Sequence, residues 1–155
     1  MKATSFKQFK IQLTDKTRMI IFDIICYLFI ILFAYTAVSK MMNFSSFVAV
    51  LKVSPLIGHL DMLVAFTVIA VEVILCIVLV GDRTKRLGLR LSMGLMVVFT
   101  IYLTYMVFSG DELPCQCGGV ISLMSWKEHI IFNSVFIVLA VIGLKISENL
   151  LNQFD

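Results

Sequence analysis

LIGHLDMLVAFTVIAVEVILCIVLV, residues 56–80, decides the fold. Asp61 and Glu72 are its only formally charged side chains. At about 1.5 Å rise per residue the run exceeds the ~30 Å hydrocarbon core of a bilayer when helical, so it spans with some tilt. Three more apolar stretches reach spanning length: Met19 to Val38, Leu87 to Phe108 and Trp126 to Ile146. The whole chain of 155 residues is 60% hydrophobic and 15% charged, and its mean hydropathy is +1.00. These values place it among integral membrane proteins. The expected fold is an all-α membrane protein, a four-transmembrane-helix bundle forming one domain over residues 19–155, with residues 1–18 as an amphipathic tail. The lipid bilayer is its first partner. Nucleic acid is excluded as a partner, because the basic residues flank apolar spans and do not cover a soluble face.

Lys and Arg set the orientation. One side holds Lys2, Lys7, Lys10, Lys16, Arg18, Arg83, Lys85, Arg86, Arg90 and Lys145; the other holds Lys40, Lys52 and Lys127. By the positive-inside rule both termini face the cytoplasm, in the inner membrane of a bacterium. The first span is too long for a signal-peptide h-region and lacks a good cleavage site after Ala34-Tyr35-Thr36-Ala37, so it reads as a retained helix.

Local signals fill in the connections. Phe6, Phe9 and Leu13 make a weak interfacial face in the tail. Phe44 to Leu51 reads as a short interfacial helix in the first outer loop, too short to cross. Ser54-Pro55 reads as N-cap and first residue of the second span. Gly81-Asp82-Arg83-Thr84 reads as a tight turn, and Ser125 with Glu128 as a capping box before the last helix.

The chemistry-bearing residues gather on the outer side. Pro114-Cys115-Gln116-Cys117-Gly118-Gly119 is a C-x-C pair in the one long polar gap. Extended residues two apart lie about 7 Å apart by Cα, so a disulfide here needs a turn and stores strain. Strain makes a disulfide easier to reduce, which suits a working redox pair on the oxidising side of a membrane. The residues alone leave three readings open: redox pairing, soft-metal binding and inert thiols. His59 and His129 open the second and fourth spans at the same outer end, where an imidazole can take a thiol proton or donate to a quinone oxygen. The bland reading makes both interfacial side chains wetted by headgroups.

Within the spans, Glu72 lies about 12 Å from the inner end of its helix. A lone carboxylate at that depth costs about 3 kcal/mol, so it faces the bundle. Asp61 and Cys76 share its helix face. Asp23 and Arg90, each one turn from the inner surface, make the expected ion pair; Arg90 snorkelling or reaching toward Glu72 are the alternatives. Helix–helix glue is the preferred reading of this stripe, and a proton or ligand path the sharper one. Cys26 and Cys76 read as small apolar packing residues. Asn133, on the His129 face, is placed to hydrogen-bond across the bundle.

The chain resembles the MauE branch of the DoxX-like membrane proteins. The resemblance rests on Cys115-Gln116-Cys117-Gly118-Gly119 followed by Ser125-Trp126, on Ala37-Val38-Ser39-Lys40-Met41 at the first helix exit, and on Glu72, Leu75 and Gly81 in the second. Gln116 and Gly118 depart from the family's Cys-Gly-Cys-Phe-Gly. The resemblance implies periplasmic thiol–disulfide chemistry with a thioredoxin-fold or disulfide-rich partner, as in maturation of the small subunit of methylamine dehydrogenase. The wider group includes a subunit linked to thiosulfate–quinone oxidoreduction, so quinone is the one cofactor held open. Cys115, Cys117, His129 and His59 are the expected catalytic residues; Glu72, Asp23, Arg90, Asp61 and Lys40 form the intramembrane polar set. Homo- and hetero-oligomers stay open. The alternative functions are a membrane assembly chaperone or metal-binding protein, and a small transporter using Glu72.

Overall fold

A computed structural model describes residues 15–53, 58–109 and 126–151. Among them the chain is all-helical. α1 covers Asp15–Met42, α2 Phe44–Val53, α3 Asp61–Val80, α4 Lys85–Ser109 and α5 Trp126–Leu151. A single 3-10 turn, Gly58–Leu60, precedes α3. Four of these helices are long and apolar enough to cross a membrane. α3 is rich in Val and Ile, which are indifferent helix formers in water. In lipid the helix satisfies every backbone group, and that requirement overrides propensity.

α1 packs beside α3 and α5, and α4 beside the same two, so α1 and α4 sit on one diagonal of a square bundle and α3 and α5 on the other. The bundle has two ends, named here by what lies at each. The α2 end gathers the C-termini of α1 and α4 and the N-termini of α3 and α5. The Gly81 end gathers the others. Large apolar side chains cover the outside: Ile31, Ile77, Val98 and Ile131 are each more than 60% exposed. Such a surface is stable against acyl chains and is an aggregation hazard in water.

The interior differs between the two ends. Toward the Gly81 end it is mainly apolar: Ile25, Cys26, Phe29, Phe33, Leu75, Leu79, Leu89, Met96 and Ala140 form one buried cluster, with Ser92 and Ser147 the buried polar residues among the described ones there. Gly88 lets α4 approach α3, since a Cβ there would meet the Leu79 backbone nitrogen at 3.2 Å. Gly143 does the same for α5; its Cβ would lie 2.9 Å from Leu89 and 3.4 Å from Ile25. The turn between α3 and α4 is closed by Thr84, whose hydroxyl donates to the Val78 carbonyl at 2.7 Å. That bond satisfies a carbonyl the helix end would leave open.

Ion pairs at the Gly81 end differ from those expected. Asp23 pairs with Lys85 at 2.9 Å, not with Arg90. Lys85 also holds Asp82 at 2.7 Å, and this ammonium keeps the Asp82 carboxyl below the usual carboxylate range. Arg90 stands 3.8 Å from Glu148 and is half exposed. Five residues carry it about 140° around α4 from Lys85, away from α1. Arg86 ties α4 to α5 through the Ser147 hydroxyl at 2.7 Å and the Ser147 carbonyl at 2.8 Å.

α2 is the short helix expected after the first span. Its Phe47 and Leu51 pack on Ala65 of α3, and Phe44 meets Phe66 at 5.0 Å between ring centroids. The described α-helical part of the second span starts at Asp61, five residues later than Leu56, because the chain enters it through the 3-10 turn. Its N-cap is Leu60, which makes no side-chain cap bond. The Asp61 carboxylate instead accepts the Met62 N–H at 2.7 Å, and its charge suits a helix N-terminus. The Ser54-Pro55 start, the Ser125 cap and the tail helix lie outside the described residues.

Candidate functional site

α1 reaches Met42, one turn past the expected exit at Val38, and this extra turn makes the site. It keeps Lys40 on the face of Phe29, Phe33 and Thr36, at helical spacings of three to four residues. That face is buried, so Lys40 turns into the bundle and does not stand in a loop. Its ammonium donates to Glu72 Oε1 at 2.7 Å, with side-chain exposures of 7% and 8%. The Phe47 ring of α2 lies over it, 5.8 Å from the ammonium to the centroid. The pair is neutral as a unit. In so apolar a setting it tolerates no loss of one partner.

More polar groups share this level. Thr36 and Ser39 of α1 and His129 and Asn133 of α5 are all buried, His129 at 1% exposure. Thr36 donates to its own helix at Phe33 O, 3.2 Å, and stands beside the Glu72 carboxyl. The register follows from fixed contacts. Phe29 and Phe136 meet edge-on at 5.2 Å; seven residues toward the α2 end on either helix, about 10 Å on, come Thr36 and His129. Cys76 Sγ lies 3.7 Å from Ile30 O, and Glu72 is one turn beyond it. Glu72 and Asn133 therefore lie within about one turn of each other in height. They face the interior from diagonally opposed helices. Glu72 Oε2 and Asn133 Nδ2 have no hydrogen-bond partner among the described residues. Of the bonding expected from Asn133 across the bundle, its amide nitrogen supplies none.

The expected site residues separate into groups. His59 is exposed on the 3-10 turn and His129 is inside the bundle, so the two imidazoles share an end but not an environment. Asp61 caps its own helix start, a span of eleven residues from Glu72. Asp23 and Arg90 belong to the opposite end. Cys115 and Cys117 lie outside the described residues, in the segment that leaves α4 at the α2 end and returns to α5 there. Cys26 and Cys76 are free thiols in the helices, as packing residues would be. Among the described residues no three His, Cys, Asp or Glu side chains stand together as a metal site. Thr36 and Ser39 escaped the sequence reading. The signal for Thr36 was its four-residue spacing back from Lys40, and for Ser39 its three-residue spacing from Thr36, visible only once the helix is known to extend that far.

The family model described as "Methylamine utilisation protein MauE" matches residues 18–146. No curated protein and no solved structure matches the chain. The matched region runs from the first helix through the fourth span and includes Lys40, Glu72, Asn133 and the C-x-C segment. The chain is a multi-pass membrane protein that belongs to the MauE family.

Proposed function

We propose that this protein passes disulfides between the membrane and a periplasmic thioredoxin-fold or cysteine-rich partner through Cys115 and Cys117. The observation that carries the reading is the C-x-C pair in the segment joining α4 to α5, within the region matched by the MauE family. The charge distribution supports its direction: ten of the thirteen Lys and Arg residues lie near the helix ends gathered at the Gly81 end or precede α1 in the sequence. On that reading the Gly81 end faces the cytoplasm of a bacterial inner membrane, and the α2 end faces the oxidising side.

The exchange balances as follows. A thiolate of one protein attacks a disulfide sulfur of the other and forms a mixed disulfide, expelling the second sulfur as thiolate. The remaining thiol of the attacking pair then attacks the mixed disulfide and leaves with the new bond. One dithiol becomes a disulfide and the other the reverse, with no net loss of electrons or protons. His59, exposed at the same end, serves as the proton acceptor that raises the thiolate fraction. His129, inside the bundle, has no such access and supports the site from within.

Cys115→Ser and Cys117→Ser variants, expressed in membranes with their native partners, test the reading. One of the two should accumulate a reducible covalent adduct with a thioredoxin-fold or cysteine-rich protein, and the double variant should accumulate none. Absence of adducts from both single variants, with the fold intact, overturns it.

A further inference from the structure

Arg90 stands in an unfavourable place for a cation without a bonded anion. It lies inside the candidate span Lys85–Tyr105, about 7.5 Å deeper than Lys85 along α4. Its side chain is 54% exposed on the outside of the bundle. Among the described residues its ionic neighbour is Glu148 Oε1 at 3.8 Å, beyond hydrogen-bond reach. A guanidinium turned toward lipid without a hydrogen-bonded anion is costly. Lys145 is exposed too, and three residues before Glu148 it is that residue's neighbour on the α5 surface. Two cations and one carboxylate leave one positive charge unbalanced.

A second, independent feature sits one turn deeper. Gly94 follows Arg90 by four residues on the same face of α4. It is exposed, and a Cβ built there would meet nothing within 4 Å. Gly88 and Gly143 let helices of this chain approach each other; among the described residues Gly94 serves no such approach. A glycine in a helix interior costs about 1 kcal/mol against alanine. What it leaves is a shallow notch in the lipid-facing surface, continued along the same stripe by the exposed Val97 and Ile101. On α5 the exposed Val141 lies two turns deeper than Glu148. A charged mouth above an apolar furrow has the outline of a single phospholipid.

We propose that Arg90 and Lys145 seat the phosphodiester of an anionic phospholipid in the leaflet at the Gly81 end, with one acyl chain laid along Gly94, Val97 and Ile101. The guanidinium fork matches two phosphate oxygens, and the Lys145 ammonium adds further donors. A headgroup with its own ammonium would be drawn to Glu148. The surplus positive charge instead selects a headgroup without one, as in phosphatidylglycerol. The seat is at the opposite end of the bundle from the C-x-C attachment points, and it does not depend on the disulfide-exchange reading.

Native mass spectrometry of the full chain, released from detergent after lipid addition, tests the seat. The first dioleoylphosphatidylglycerol should bind the wild type roughly tenfold more tightly than the first dioleoylphosphatidylethanolamine. Arg90→Gln should lose that preference. Arg83→Gln, which removes a cation from the exposed turn, should keep it. Gly94→Leu changes no charge and fills only open space, so it should fold with an unchanged or higher Tm. It should nevertheless bind phosphatidylglycerol roughly tenfold more weakly, because the chain loses its furrow. Glu148→Gln should bind it more tightly. Glycerol 3-phosphate, which has the phosphate and no acyl chains, should not displace it.

Equal affinity of the wild type for the two lipids overturns the seat. So does unchanged phosphatidylglycerol binding in Arg90→Gln or in Gly94→Leu, lost preference in Arg83→Gln, weaker binding in Glu148→Gln, or displacement by glycerol 3-phosphate. None of these outcomes bears on partner adducts formed at Cys115 and Cys117.

Discussion

At the scale of single residues the Lys40–Glu72 pair governs the α2 end of the bundle. Each half alone is costly in an apolar interior, and together they are neutral. Lys40→Met should therefore leave a buried carboxylate and lower stability by about 3–5 kcal/mol. Lys40→Met combined with Glu72→Leu should recover most of that loss; thermal unfolding in a single detergent checks both. Cys26→Ala, by contrast, removes only a small packing group. It should cost about 1 kcal/mol and leave redox behaviour unchanged, as unfolding and thiol–disulfide assays would read. Glu72 was legible in the sequence as a residue that faces the bundle, because an unpaired carboxylate in mid-span is costly. Its partner was not. Lys40 looked like a loop cation because the hydrophobic run fades after Val38, and hydropathy does not mark where a helix stops. Asp23 was expected to meet Arg90 by depth alone, and depth says nothing about which side of a helix faces a neighbour.

At the scale of elements, the four spans were readable because lipid demands long, uninterrupted helices. α2 was readable too, since Phe44, Phe47 and Leu51 recur at helical spacing. What the pattern could not give was contact. Phe47 both packs on α3 and covers the Lys40 ammonium. Phe47→Ala should loosen α2, with a loss of about 3 kcal/mol and faster amide exchange in α2 than in α3. Gly88→Leu should separate α3 from α4. The Leu79 backbone lies too close for a larger side chain to fit, so a drop in Tm larger than that of Phe47→Ala is expected on the same instrument. Neither close approach is visible from composition, because a glycine in an apolar run carries no record of what stands opposite it.

At the scale of the whole molecule, the two ends have different chemistries. The Gly81 end is bound by Lys85, Arg86 and their partners. The α2 end holds the buried polar layer and the attachment points of the C-x-C segment. An impermeant maleimide applied to reduced, intact spheroplasts should label Cys115 and Cys117 and leave Cys26 and Cys76 unlabelled until the protein is unfolded. Labelling of the C-x-C pair only after lysis would reverse the proposed orientation. The class, the number of spans and the position of the thiols along the chain were all legible from sequence, since each depends on order alone. The polar layer depends on how four faces converge, and no single segment contains that information.

The shared burial of Lys40 and Glu72 also bears on biogenesis. α1 leaves the ribosome before α3, so the cation is in place before its carboxylate partner is made. α3 is the most apolar of the four spans, with a mean hydropathy of 3.0 over its best window, and that surplus lets it partition into lipid despite Glu72 in mid-span. Docking of α3 on α1 is what brings the two charges together. A newly made chain that has threaded the bilayer but not yet joined them is a natural substrate for membrane quality control.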